Sequence, residues 1–133
     1  MIVDTSALVA ILKQEPRWET LGEALDSSPG SCISASTYVE LSIVVDRWRN
    51  PTLSSRVDEL IEQFRIEIEP VTPEQARIAR QAYRDYGRGS GHAANLNFGD
   101  CFSYALARTK REPILFKGDD FIHTDLRSAV AQS

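Results

Sequence analysis

The chain has 133 residues, 42% of them apolar, and a formal net charge of −4. That length suits one domain, residues 1–133, large enough to bury roughly two thirds of its extended surface without a disulfide or metal staple. No apolar run is long enough to cross a bilayer, and Ile2-Val3, cut off by Asp4, is too short for the core of a secretory signal. A cytoplasmic location without membrane association is the expectation. The acidic balance argues mildly against a nucleic-acid partner, but metal-binding carboxylates add negative charge that cations cancel, so distribution outweighs the sum.

Taken in chain order, Met1-Ile2-Val3 reads as a short strand that ends in Asp4, and Ala7 to Lys13 as a helix stopped by Glu15-Pro16. A second helix runs from Arg17 to Asp26, with Trp18, Leu21 and Leu25 on one face, until Ser28-Pro29-Gly30-Ser31 breaks it. Cys32-Ile33-Ser34 is a buried strand. A strong helix starts at Thr37, carries Leu41, Val44, Val45 and Trp48 at helical spacing, and stops at Asn50-Pro51. Leu53, Val57, Leu60, Ile61 and Phe64 form the next amphipathic stripe, and Ile66-Glu67-Ile68-Glu69 alternates as a strand.

Thr72-Pro73-Glu74-Gln75 is a helix start with a capping hydroxyl, a first-turn proline and a capping-box glutamine. Residues 87–97 are glycine-rich and expected to be mobile. Phe98 to Lys110 is helical, Ile114-Leu115-Phe116 is a last core strand, and Lys117-Gly118-Asp119-Asp120 is a turn. Residues 125–130 offer an edge strand, and residues 131–133 are expected to fray. Short strands alternating with helices imply a parallel sheet covered by helices.

Cys32 and Cys101 have neither CxxC spacing nor nearby histidines and read as reduced core residues. His92 and His123 stand alone in polar stretches, so zinc lacks ligands.

The acids at the junctions carry the chemistry. Asp4 follows a strand and precedes a helix, which puts a carboxylate outside the carboxyl end of the sheet, where open α/β sheets bind ligands. Its bland alternative is to cap the first helix, but Thr5 and Ser6 already offer capping oxygens. Glu40 fits equally the fourth place of a capping box, Thr37-Tyr38-Val39-Glu40. Asp100 stands in the first turn if Asn97 caps its helix, a position that suits an acid in any case, with Gly99 beside it leaving room for a ligand. Of Asp119 and Asp120, one belongs to the turn.

Two carboxylates 4 Å apart repel by about 4 kcal/mol at an effective dielectric near 20. Four acids that converge must therefore be partly protonated or neutralised by a divalent cation. Mg²⁺ and Mn²⁺ take oxygen ligands and keep several waters.

Four stretches together resemble the PIN-domain ribonucleases, specifically the VapC toxins of VapBC toxin–antitoxin pairs. They are Met1-Ile2-Val3-Asp4-Thr5-Ser6-Ala7-Leu8, Tyr38-Val39-Glu40, Asn97-Phe98-Gly99-Asp100-Cys101-Phe102-Ser103-Tyr104-Ala105-Leu106-Ala107, and Leu115-Phe116-Lys117-Gly118-Asp119-Asp120-Phe121. The resemblance implies a three-layer α/β/α fold with a short central parallel sheet. It also implies an Mg²⁺- or Mn²⁺-dependent endoribonuclease, with Asp4 and Asp100 holding the metal and Glu40 ligating or orienting water. The fourth acid would be Asp119 or Asp120, with Asp119 preferred. Thr5, or more readily Ser6, would hold a water or a phosphate oxygen.

Arg84 and Arg88, in a stripe with Arg77 and Arg80, are candidate phosphate contacts, the alternative being a solvated face paired with Glu74 or Asp85. Lys117, beside the acids, is a candidate for the scissile phosphate. Trp18, Leu21, Leu25, Leu41, Val45 and Trp48 exceed what one small core needs, and the resemblance implies a VapB-like antitoxin peptide on part of that surface, with core packing the alternative for each residue. It also implies a homodimer through helices of the C-terminal half. Two rival readings stand beside this one. One is an RNA- or partner-binding module with structural acids. The other is a phosphohydrolase with Asp4 as nucleophile, which Ser6 disfavours because such enzymes place an acid there.

Overall fold

In the computed structural model, which describes residues 1–131, the order of elements matches that alternation. The strands are β1 (Ile2–Val3), β2 (Ser31–Ser34), β3 (Ile66–Glu69) and β4 (Ile114–Leu115). The helices are α1 (Thr5–Lys13), α2 (Trp18–Ser27), α3 (Ala35–Asp46), α4 (Pro51–Gln63), α5 (Pro73–Tyr86) and α6 (Asp100–Lys110). All strand pairings are parallel, in the order β3-β2-β1-β4. The chain builds outward from β1 to β2 and β3, then returns to place β4 on the other side of β1. The sheet therefore reverses its winding between β1 and β4.

Successive strand side chains point to opposite faces, and both faces are covered. Val3, Ile33 and Leu115 join the cluster built with α1 to α4, through Leu8, Ile11, Leu21, Leu25, Leu41, Val45, Val57 and Leu60. Ile2 and Cys32 pack instead with Leu106 and Ala107 of α6. Ile114 joins Ala79 and Ala82 of α5 and Cys101, Tyr104 and Ala105 of α6. The result is a three-layer α/β/α arrangement. Both cysteines are free and buried.

The caps explain where helices start and where expectation shifts. Asn50 and Thr72 cap α4 and α5 through Leu53 N–H and Gln75 N–H, each with a proline in the first turn. The helix expected from Thr37 begins two residues earlier, because Ser34 at the end of β2 accepts the Ser36 N–H at 3.3 Å. Thr37 is thus an interior, buried residue of α3, and Glu40 lies beyond the first turn with no capping role. Helices α1 and α6 end on Gln14 and Arg111 in the left-handed region, at φ 52° and 55°. Neither residue type advertises that conformation.

Two further expectations are corrected and one alternative is resolved. The glycine-rich stretch 87–97 is anchored: Arg88 N–H donates to Leu96 O at 2.9 Å, Leu96 N–H to Tyr86 O at 2.8 Å, and Ala94 and Leu96 are buried. The edge strand expected over 125–130 is a single bridge between Ile114 and Ser128. Of the two readings of the apolar excess, Leu21, Leu25, Leu41 and Val45 follow core packing, being buried, and partly buried Trp18 and Trp48 pack against the same cluster. The large apolar side chains left exposed are Val39, Ile43, Ile68, Tyr83, Phe98 and Ile122. Of the stretch expected to fray, residues 132 and 133 lie outside the described residues, while Ala131 O accepts a hydrogen bond from Arg17 at 2.7 Å. Among the described residues no helix is long and apolar enough to cross a membrane.

Leu8 is fully buried between α1 and the sheet. Leu8→Ala is expected to destabilise the fold by about 2–5 kcal/mol in urea unfolding.

Candidate active site

Asp4 ends β1 at the point where the sheet reverses, and its main chain is fixed there by an N–H bond to Leu115 O of β4 at 3.0 Å. Its side chain is only 3% exposed. Oδ2 accepts the Ser6 N–H at 3.1 Å and the Ser6 hydroxyl at 2.7 Å. Oδ1 accepts the Ser103 hydroxyl, from α6, at 2.6 Å. Asp4 is thus the cap of α1 as well as a buried acid, and the Thr5 and Ser6 hydroxyls serve elsewhere.

Ser6 links the two strands that flank the reversal. Its hydroxyl donates to Asp4 and accepts the Lys117 N–H, beyond β4, at 3.0 Å. Ser103 lies 3.3 Å from the Thr37 hydroxyl of α3, so α3 and α6 meet through two buried hydroxyls behind Asp4. The sequence reading missed Ser103. Its signal was there: a hydroxyl three residues after Asp100, on the same helical face, in an otherwise apolar run.

Asp100 opens α6 in a reciprocal capping arrangement. Asn97 N–H donates to Asp100 Oδ2 at 3.0 Å, and Asp100 N–H donates to Asn97 Oδ1 at 2.8 Å. The capping role coexists with the electrostatic influence of Asp4 on the same carboxyl. Glu40 reaches in from α3. Its Oε1 accepts the Thr5 hydroxyl at 2.6 Å.

Electrostatics tie the acids together. Burial pushes the Asp100 carboxyl up to about 7, and the charges of Asp4, Asp120 and Glu40 push the same way against the Asn97 N–H. Burial also raises Asp4, opposed by the bonds from Ser103 and Ser6, with the charge of Asp120 adding to the rise. Glu40 is raised by burial first and by Asp4's charge, against the Thr5 bond. Among the described residues no Lys, Arg or His pairs with Asp4, Glu40, Asp100 or Asp120. The group carries uncompensated negative charge.

Of the two turn acids, Asp120 is the one whose charge Asp4 and Asp100 feel. Asp119 lines a separate cleft with Arg17, Thr20, Leu21 and Lys117. Gly118, at φ 109°, turns the chain between β4 and these acids through a conformation that suits glycine. The Lys117 ammonium lies 3.8 Å from Glu15 at the far end of α1, and only its main chain contacts the acidic network. Arg84 and Arg88 are exposed. Neither pairs with Glu74 or Asp85, and no contact joins either to the acids among the described residues.

A second group of ligand-type atoms lies at the other edge of the sheet. Cys32, Glu67 and Glu69 hold theirs within 4.8 Å of one another. Lys110 already neutralises Glu69 at 3.0 Å. The oxygens of Asp4, Glu40 and Asp100 are spaced more widely than that limit among the described residues, an open set that leaves room for an ion with its waters.

Comparison with known proteins identifies the family of the chain. The PIN domain family model matches residues 1–126. Ribonuclease VapC42 of Mycobacterium tuberculosis (strain ATCC 25618 / H37Rv) is 56% identical over 129 residues, covering 97% of this chain and 98% of that protein. Ribonuclease VapC28 of the same strain is 53% identical over 130 residues, 98% of each chain. Among solved structures, Mycobacterium tuberculosis VapC20, described as a Sarcin-Ricin loop cleaving toxin, superposes with a TM-score of 0.70 at 21% identity over 95% of this chain and 98% of that one. FitAcB from Neisseria gonorrhoeae gives 0.69 at 23% identity over 96% and 94%. At those identities the two structures speak for the fold alone. The chain belongs to the PIN-domain family and, within it, to the group of the VapC ribonucleases.

Proposed function

We propose that the chain is a divalent-metal-dependent endoribonuclease, the toxin of a toxin–antitoxin pair. The observation that carries this reading is the gathering of buried Asp4 and Asp100 with half-buried Glu40 at the reversal of the sheet, without a basic counter-charge. The ribonuclease names of relatives above 50% identity over nearly the whole chain support it.

The donor set fits a hard cation. It consists of carboxylate oxygens with hydroxyls behind them, offers no imidazole or thiolate, and gathers charge that a divalent cation would balance in place of protons. Asp4 and Asp100 would hold Mg²⁺ or Mn²⁺, with Asp120 as the fourth acid in place of Asp119, because Asp120 is electrostatically coupled to both. Such an ion, when bound, supplies Lewis acidity toward a phosphodiester and lowers the pKa of water.

The chain's own residues do the rest. Ser6 and Ser103 fix the Asp4 carboxylate from both sides, so its oxygens need no reorganisation during the reaction. Asn97 and the first turn of α6 set the Asp100 carboxylate. Thr5 holds one Glu40 oxygen, which leaves the other to orient the water that attacks phosphorus in line. RNA is the substrate, and the exposed arginines Arg77, Arg80, Arg84 and Arg88 are its phosphate contacts away from the centre. A VapB-like antitoxin is the expected protein partner. Exposed Tyr83 and Phe98, beside the groove between α5 and α6, mark the face for a homodimer. The cytoplasm is the compartment in which these partners meet.

Incubation of purified, antitoxin-free protein with total RNA is expected to give discrete fragments with Mg²⁺ or Mn²⁺ and none with EDTA. Asp4→Asn is expected to lower the rate by about 100-fold or more. Uncut RNA with well-folded wild-type protein would overturn the reading in favour of a binding module. In the same assay Asp120→Asn is expected to reduce cleavage severalfold more than Asp119→Asn. The reverse order would restore Asp119 as the fourth acid.

A pH experiment without RNA follows from Asp100. Its carboxyl is raised in the fold from an ordinary 3.8 to about 7, so the folded state binds the extra proton. The metal-free protein therefore has this stability in full below about pH 4 and loses it as pH rises through about 7. In EDTA, Tm is expected to drop between pH 5 and pH 8. The drop should be smaller in Asp100→Asn and should shrink when Mn²⁺ is added to the wild type.

A further inference from the structure

Gly99 precedes the acid at the start of α6, and its backbone is ordinary right-handed helix, φ −64° and ψ −39°. Any residue adopts that conformation, so the glycine is not required by its dihedral angles. What it lacks is a side chain. A β-carbon at Gly99 would stand 2.6 Å from Cδ of Glu40 and 2.9 Å from its Oε1, and would overlap Oε2 outright. The carboxylate of Glu40 rests against the bare main chain of residue 99.

Neither neighbour can yield without consequence. The backbone of 99 is held because Phe102 N–H donates to Gly99 O at 3.2 Å, and because Asn97 and Asp100 lock the turn around it. Glu40 is held on its other side by the Thr5 hydroxyl at 2.6 Å. A methyl group at 99 would move the more flexible partner, the end of the Glu40 side chain, away from Thr5 and from the space beside Asp100.

We propose that Gly99 is a positioning residue for Glu40. Its missing β-carbon is the seat against which the Glu40 carboxylate is clamped by Thr5, so the spacing of glycine and acid in Gly99-Asp100 sets a third acid that lies on another helix. This inference rests on the ribonuclease reading for its kinetic arm only.

The test compares wild type, Gly99→Ala, Glu40→Ala and the double variant. Three readouts are used: thermal melting without metal, Mn²⁺ affinity by calorimetry without RNA, and kcat and KM on a cleaved RNA. Gly99→Ala is expected to melt near the wild-type temperature, because the right-handed backbone accepts alanine and the displaced end of Glu40 loses only its Thr5 bond. It is expected to lower kcat about 10- to 100-fold with little change in KM, the scale of a displacement near 1 Å at a reacting centre, and to weaken Mn²⁺ binding. In the Glu40→Ala background the same substitution is expected to change neither quantity by more than about twofold. Gly99→Ala indistinguishable from wild type in both kcat and Mn²⁺ affinity overturns the proposal, as do losses that persist undiminished without Glu40. If Gly99→Ala melts below wild type, adding Glu40→Asp decides. Recovery of Tm by the shorter acid supports the clamp, and no recovery overturns it. If wild-type protein cleaves no RNA, the ribonuclease reading fails, and the Mn²⁺ coupling alone judges Gly99.

Discussion

One buried carboxylate organises this molecule. Asp4 is nearly inaccessible to solvent, and an ionised acid in that position is costly unless donors replace its water. Three donors do so: the Ser6 amide, the Ser6 hydroxyl and the Ser103 hydroxyl. Each draws in another part of the chain. Ser6 starts α1 and also receives the Lys117 amide from beyond β4, while Ser103 brings α6 and, through Thr37, α3. The bonds that make the acid tolerable are the same ones that register four elements around it.

The strand order gives that network its location. With β1 flanked by β2 on one side and β4 on the other, the connections leave β1 and β4 in opposite directions and open a crevice at their carboxyl ends. Asp4 stands at its floor, Asp100 arrives with the first turn of α6, and Asp120 arrives from the turn after β4. Glu40 comes from α3 and needs two supports from outside its own helix, the Thr5 hydroxyl and the bare backbone of Gly99. Burial first, and then the charge of neighbouring acids, raises the proton affinity of Asp4, Glu40 and Asp100, and no lysine, arginine or histidine pairs with them among the described residues. A stored repulsion of this kind is relieved by a proton or by a cation, which links stability, pH and metal in one equilibrium.

Packing explains why surface and core were hard to separate in advance. Trp18, Leu21, Leu25, Leu41, Val45 and Trp48 look like a surplus when a single core is imagined. A sheet covered on both faces needs two apolar layers, and four helices share one of them. The apolar side chains that do reach solvent, such as Val39 and Ile43 on α3, Tyr83 on α5 and Phe98 before α6, do not stand out from their neighbours in the chain. Only the angle at which each helix meets the sheet decides which side of the stripe is covered.

The sequence by itself determined the alternation of strands and helices, the caps at Asn50 and Thr72, and the acids at junctions, because these depend on neighbours within a few residues. It also carried the family, through four stretches whose order does not require the fold to be known. It left open which junction acid meets which, and it misplaced the start of α3, because Ser34 and Thr37 are equally good caps until β2 fixes where the strand ends. Tertiary structure decided that the charge of Asp120 bears on Asp4 while Asp119 lines a separate cleft, that the Lys117 side chain turns toward Glu15, and that Ser103 joins Ser6 in satisfying the buried acid. Each of these is a contact between residues far apart in the chain, fixed by the order of parallel strands and the docking of α6, and no local pattern encodes such a distance.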